Sequence, residues 1–193
     1  MVLANKITLG RIFLIPAVLA GILVYGRSVK GGHPLEIYRW IALGCFVVAA
    51  GSDALDGYIA RKFKQRTWVG EIIDPVADKT LMVTTILALT FTPWPWSFPL
   101  WFPVLVVLRD LLAIVVGFMI YNLSGQIDIR IHWSGKAATF FQICSICWVM
   151  AGITFPHPLH VTIVAAVMTL FSGLVYLRAG VLQILCQRAG RPQ

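Results

Sequence analysis

The feature that most constrains the fold is a long uncharged stretch, because residues 137–177 contain no Asp, Glu, Lys or Arg. A single helix of that length would run roughly 60 Å, about twice the hydrocarbon thickness of a bilayer. The stretch therefore crosses a membrane twice, with a break at Pro156 and Pro158. Composition agrees, since 59% of the 193 residues are hydrophobic and only 12% are charged, which excludes an ordinary soluble domain.

Prolines, glycines and charged residues divide the whole chain into apolar segments of helical length. We predict an all-α integral membrane protein, a bundle of six transmembrane helices that forms a single domain over residues 1–193. The first apolar run ends without a convincing signal-peptidase site, so we expect it to be retained as a helix. The predicted helices cover residues 7–26, 35–61, 74–92, 98–122, 134–155 and 158–184.

The net charge of +8 reflects membrane topology rather than nucleic-acid binding, because the basic residues form no face interleaved with exposed aromatic residues. Lys and Arg concentrate in alternate connections, which predicts a multi-pass protein with both termini in the cytoplasm. The other connections hold only Arg27, Lys30 and Arg39. The basic set comprises Lys6, Arg11, Arg61, Lys62, Lys64, Arg66, Arg130, Lys136, Arg188 and Arg191.

Most of the few acidic residues fall together, at the ends of two predicted membrane helices. A carboxylate near bilayer depth costs on the order of 2.5 to 3.5 kcal/mol, so a cluster there indicates a functional site. The spacing within each pair, Asp53 with Asp56 and Asp74 with Asp78, puts both members on one face of a helix. Four converging carboxylates repel one another unless a divalent cation neutralises them, and an all-oxygen set favours Mg²⁺ or Mn²⁺.

The residues around these aspartates form a longer pattern at fixed spacing. It reads Asp53-x-x-Asp56-Gly57-x-x-Ala60-Arg61, then Gly70-x-x-x-Asp74-x-x-x-Asp78. This resembles, without a mismatch, the motif of the class I CDP-alcohol phosphotransferase family, membrane enzymes that move a phosphoryl-linked group from a CDP-activated donor to an alcohol. The resemblance extends to the six-helix plan and the chain length.

The resemblance implies roles for the motif residues. Two metal ions held by Asp53, Asp56, Asp74 and Asp78 would clamp the donor diphosphate, and Asp78 would also act as the general base. The family further implies a homodimer in contact with membrane lipids. The cytidine diphosphate would contact Asp53, Gly57, Ala60, Arg61 and Gly70.

Outside the motif, three basic residues are candidates for binding the acceptor. Arg109 lies in the fourth predicted helix beside Asp110, where a charge is expensive unless it is paired or lines a polar cavity. Lys136 follows Gly135 in a run similar to the glycine-lysine segment of phosphatidylglycerophosphate synthases, although Ala138 stands where that pattern has a second lysine. Arg130 is the third candidate, while Glu71, Asp110 and His132 receive no assigned role.

These observations predict transfer of a phosphatidyl group from CDP-diacylglycerol to sn-glycerol 3-phosphate at a site facing the cytoplasm of a bacterial membrane, with release of CMP. A CMP-forming cardiolipin synthase, which uses phosphatidylglycerol, is an alternative that Arg109-Asp110 and Ala138 favour. An inositol phosphate acceptor is a third option. A divalent-cation transporter leaves Arg61 and Gly70 unexplained, and a membrane prenyltransferase needs eight or nine spans.

Overall fold

Helices account for most of the chain that the structure describes. The computed structural model describes residues 3–63, 68–124 and 133–189, and describes side chains mainly over residues 13–52, 79–119 and 133–181. The prediction of six helices is confirmed for these residues. They are α1 Leu3–Lys30, α2 Glu36–Phe63, α3 Trp68–Phe91, α4 Trp101–Ser124, α5 Trp133–Ala151 and α6 Pro158–Ala189.

Two helices end in the same local motif, which depends on a glycine with a positive φ angle. Gly32 has φ of 78° and Gly152 has φ of 67°. After α1, the amides of Gly32 and His33 donate to the carbonyls of Val29 and Ser28, and residues 152 and 153 repeat this arrangement after α5. This pattern is the Schellman motif, which satisfies the last carbonyl groups of a helix.

Some predicted helix ends differ from those observed. The prediction that the fifth helix extends to residue 155 is wrong, because Gly152 ends it after Ala151. The third helix begins at Trp68 rather than at residue 74. Gly70 and Glu71 interrupt the apolar pattern before residue 74, but they do not interrupt the backbone hydrogen bonds that define the helix.

The apolar content supports an integral membrane protein. Within the described residues, three helices contain segments long and apolar enough to cross a bilayer, namely Phe13–Lys30, Trp101–Met119 and Pro158–Val181. Their large apolar side chains are exposed in the isolated chain, as in Leu108 and Ile114 of α4 and Leu174 of α6. Lipid tails suit such surfaces as well as a protein core does.

The chain divides into two compact units. The first comprises residues 1–99 and 146–158, and the second comprises residues 100–145 and 159–193. In the first unit, α1 packs against α2 and α3. Gly21 allows α1 and α2 to approach closely, because a β-carbon there would lie 2.8 Å from the Cβ atom of Ala42. Such contacts between small residues are typical of packed membrane helices.

In the second unit, polar side chains join the helices. α5 and α6 are connected by a hydrogen bond of 2.8 Å from the Gln142 amide to the hydroxyl of Thr169. The hydroxyls of Ser145 and Thr162 lie 3.4 Å apart on the same two helices. All four side chains are buried. Hydrogen bonds of this kind contribute about 0.6 kcal/mol each on average between membrane helices, and they set the register of the pair.

Candidate active site

The aspartate motif lies on α2 and α3, close to the point where these helices are joined. α2 ends at Phe63, α3 begins at Trp68, and the two helices are in contact. Because so few residues join them, they run antiparallel. Asp53 and Asp78 lie at equal distances from the joined ends of α2 and α3. Asp56 and Asp74 lie closer, about two turns from those ends. The motif aspartates therefore have matched positions along the two helices.

The remaining motif residues have the same kind of placement. Gly57, Ala60 and Arg61 belong to α2, and Gly70 belongs to the first turn of α3. The side chains of the motif, from Asp53 to Asp78, lie outside the described part of the structure. The prediction of Arg130 as an acceptor-binding residue also falls outside the described residues.

Arg109 is a buried cation in the second unit, with only 8% of its surface exposed. Its Nη1 atom lies 2.7 Å from the Oδ1 atom of Asp110, and its Nη2 atom donates to the hydroxyl of Ser172 at 2.8 Å. The guanidinium carbon also lies 5.3 Å from the ring centre of Tyr176, which is a cation–π distance. The ion pair compensates the charge of Arg109 in its buried position.

The guanidinium of Arg109 nevertheless retains an unused donor. Its Nε atom is buried and has no hydrogen-bond partner within the structure as described. The cavity of about 160 Å³ beside the side chain is walled mainly by leucines, including Leu105, Leu108 and Leu112. Polar groups do surround Arg109, as its charge predicts, but they are the side chains of Asp110, Ser172 and Tyr176. The cavity itself is apolar.

The segment that carries Lys136 packs directly against this cluster. A β-carbon at Gly135 would lie 2.8 Å from the Tyr176 hydroxyl and 3.1 Å from Nη2 of Arg109, so the glycine makes room for both groups. Lys136, the next residue, is exposed, whereas Ala138 is completely buried. The structure thus brings Arg109 close to the backbone of Gly135, next to Lys136. A lysine at position 138, in contrast, would have to fit into a packed interior.

Ser172 and Tyr176 were not predicted as partners of Arg109. A signal for them exists in α6, where residues 162, 169, 172 and 176 recur at the spacing of one helix face. Thr162, Thr169 and Ser172 are buried polar residues in an otherwise apolar helix. That spacing identifies a buried polar face, although it does not identify the helix that packs against it.

Comparison with known proteins identifies the family. Residues 1–176 match the family described as CDP-alcohol phosphatidyltransferase. The probable phosphatidylglycerophosphate synthase of Mycobacterium tuberculosis is 32% identical over 178 residues, which cover 90% of this chain and 79% of the relative. The CDP-diacylglycerol–glycerol-3-phosphate 3-phosphatidyltransferase of Escherichia coli K12 is 30% identical over 153 residues, which cover 74% of this chain and 79% of the relative. The chain therefore belongs to the CDP-alcohol phosphatidyltransferase family, whose members are membrane transferases of phospholipid synthesis.

Proposed function

We propose that the protein transfers a phosphatidyl group from CDP-diacylglycerol to sn-glycerol 3-phosphate, forming phosphatidylglycerophosphate and releasing CMP. The observation that carries this proposal is that relatives from two bacteria, at 32% and 30% identity, are named as a probable phosphatidylglycerophosphate synthase and as a CDP-diacylglycerol–glycerol-3-phosphate 3-phosphatidyltransferase. The complete aspartate motif supports the chemistry, because all of its charged positions are present and lie on two antiparallel helices.

The donor set of the motif fits a divalent metal. Asp53, Asp56, Asp74 and Asp78 offer only carboxylate oxygens, which are the ligands preferred by Mg²⁺ and Mn²⁺. Their matched positions along α2 and α3 favour a shared site for two such ions. When bound, the ions would neutralise the charge that develops on the diphosphate.

The residues of the chain have separate tasks in the proposed reaction. Asp78 takes the proton from the acceptor hydroxyl as its oxygen attacks the β-phosphorus of the donor. The new phosphorus–oxygen bond forms while the bond to the CMP oxygen breaks, and CMP leaves on the opposite side. The cytidine diphosphate is held by Asp53 and by the small or basic residues Gly57, Ala60, Arg61 and Gly70, since small residues allow phosphates to approach the backbone.

Basic residues of the second unit support a phosphorylated acceptor. A phosphomonoester carries nearly two negative charges at neutral pH and is bound by converging cations. Arg109 has a donor to spare, and Lys136 is exposed and follows Gly135, which lies against Arg109. Arg130 is the third residue that we assign to the acceptor. Asp110 and Ser172 hold the Arg109 guanidinium in one orientation.

The membrane arrangement is part of the proposal. We place all six helices across the bilayer as one domain over residues 1–193, with both termini and the active site on the cytoplasmic side of a bacterial membrane. The distribution of Lys and Arg supports this orientation. We also propose a homodimer, which rests on the family resemblance.

An acceptor assay tests the reaction. The purified protein is given CDP-diacylglycerol and Mg²⁺ with sn-glycerol 3-phosphate, phosphatidylglycerol or inositol phosphate, each in a separate reaction, and CMP is measured. We expect CMP release only with sn-glycerol 3-phosphate. Release with phosphatidylglycerol alone would instead establish a cardiolipin synthase. No CMP with any acceptor, together with divalent-cation flux into proteoliposomes, would overturn the transferase assignment in favour of a transporter.

A further inference from the structure

A groove with a cavity of about 550 Å³ lies between α1 and α3 in the first unit. Its walls come from α1 between Leu19 and Lys30, and from α3 and the following turn between Thr84 and Pro93. Apart from two threonines, the uncharged lining residues are all apolar. The charged lining residues are Arg27 and Lys30, which both belong to the last turn of α1. The groove is therefore apolar along its length and positive at one end.

The two cations have no counter-charge in the part of the chain that the structure describes. Both side chains are exposed, and neither makes a salt bridge or side-chain hydrogen bond with a described residue. They lie three residues apart, on the same side of the helix. Arg39 behaves differently, since it pairs with Glu36 at 3.0 Å. The end of α1 supplies only the partial negative charge of the helix dipole.

The position of the groove relates it to the membrane surface. Phe13–Lys30 is a segment that suits a bilayer span, so its basic end lies at the interface and Leu19 and Leu23 lie at hydrocarbon depth. This end is distinct from the motif end of the same unit. Phe91, which also lines the groove, is about 20 Å further along α3 than Asp78.

We propose that this groove binds one anionic phospholipid, with its phosphodiester between Arg27 and Lys30 and an acyl chain along Leu19, Leu23 and Leu87. The volume falls within the ~300 to 1,000 Å³ of ordinary small-ligand sites. An acyl chain that enters the groove leaves the hydrocarbon of the bilayer for a second apolar environment. Its burial therefore contributes little to the preference for one lipid over another. The headgroup charge therefore determines which lipid binds. Because the groove has one wall on each helix, the lipid bridges α1 and α3.

Lipid binding to the full-length protein tests the proposal independently of its enzymatic activity. Delipidated protein in detergent is titrated with phosphatidylglycerol or with phosphatidylcholine of identical acyl chains, and bound lipid is counted by native mass spectrometry. We expect tighter binding of phosphatidylglycerol. Arg27→Gln and Lys30→Gln should each weaken its binding about five-fold and leave phosphatidylcholine unchanged. The difference from wild type isolates the groove from lipid bound elsewhere.

A second set of variants tests the apolar part of the groove and controls for damage to the fold. Ala88→Leu fills the groove without changing charge and should weaken binding of both lipids, whereas Ala20→Leu, on an exposed position outside the groove, should not. The charge-conserving variants Arg27→Lys and Lys30→Arg should retain the preference for phosphatidylglycerol. The proposal would be overturned if wild type bound the two lipids equally, or if both glutamine variants bound phosphatidylglycerol as wild type does. Arg27 and Lys30 would then interact only with the end of α1.

Discussion

The guanidinium of Arg109 lies against the backbone of Gly135. A β-carbon on residue 135 would come within 3.1 Å of Nη2 of Arg109 and within 2.8 Å of the Tyr176 hydroxyl, so α5 approaches α4 and α6 closely here because this residue has no side chain. The contact connects a buried cation to the segment that presents Lys136. A small change at position 135 therefore displaces Arg109 while leaving its charge intact.

We expect Gly135→Ala to weaken acceptor binding. The added methyl group displaces Tyr176 and Arg109 by a few tenths of an ångström, which should raise KM for sn-glycerol 3-phosphate about five-fold, a cost of roughly 1 kcal/mol. Stability should change little, since alanine favours a helix over glycine by up to about 1 kcal/mol. Steady-state kinetics and a thermal melt measure the two effects.

The matched control is Gly44→Ala, because a β-carbon at that glycine meets no atom within 4 Å. This variant should keep the wild-type KM. If Gly135→Ala also kept it, the Arg109 cluster would have a structural role only.

The motif aspartates should be essential for turnover but not for folding. We expect Asp78→Asn and Asp56→Asn to reduce CMP release below about a tenth of wild type, because each removes a proposed metal ligand and Asp78 is also the proposed base. Gel filtration and a thermal melt should show a folded protein. Glu36→Gln makes the same chemical change where the carboxylate pairs with Arg39, and should stay active. Retention of more than a tenth of turnover in either aspartate variant would contradict the assignment.

Lys136 should act on the acceptor rather than the donor. We expect Lys136→Ala to raise KM for sn-glycerol 3-phosphate by about five- to ten-fold and to leave KM for CDP-diacylglycerol unchanged, since the contact that we propose for Lys136 is with the acceptor phosphate alone. Lys136→Arg retains the charge and should recover most of the affinity. Parallel increases in both KM values would instead indicate a general disturbance of the site.

Topology can be measured by labelling single cysteines in a cysteine-free variant. The Lys and Arg distribution predicts that positions 65 and 133 react from the cytoplasm and that positions 31 and 96 react from outside. A membrane-impermeant thiol reagent applied to cells and to inverted vesicles distinguishes the two sides. The reverse pattern would place the aspartate motif on the outer face and is incompatible with the proposed orientation.

The sequence by itself determined the membrane class, the number of helices and the pattern of candidate ligands. Each depends on local rules, because hydrophobic length specifies a span and the spacing of Asp53 and Asp56 specifies a helix face. The ends of α1 and α5 were predicted less well, at residues 26 and 155 instead of Lys30 and Ala151. Both helices end where a glycine adopts a positive φ angle, at residues 32 and 152. Helix starts were less predictable, as for α3, because Gly70 and Glu71 interrupt the apolar pattern near its beginning.

Only the tertiary structure decided which residues surround Arg109 and where the groove lies. Ser172 is 63 residues from Arg109, and nothing in either local sequence specifies the other as a partner. The groove likewise combines Arg27 and Lys30 of α1 with Ala88 of α3. The physical reason is that apolar helices can pack in many registers at similar energy. The choice among them depends on small residues such as Gly21 and Gly135 and on hydrogen bonds such as that between Gln142 and Thr169, which exist only once the helices are in contact.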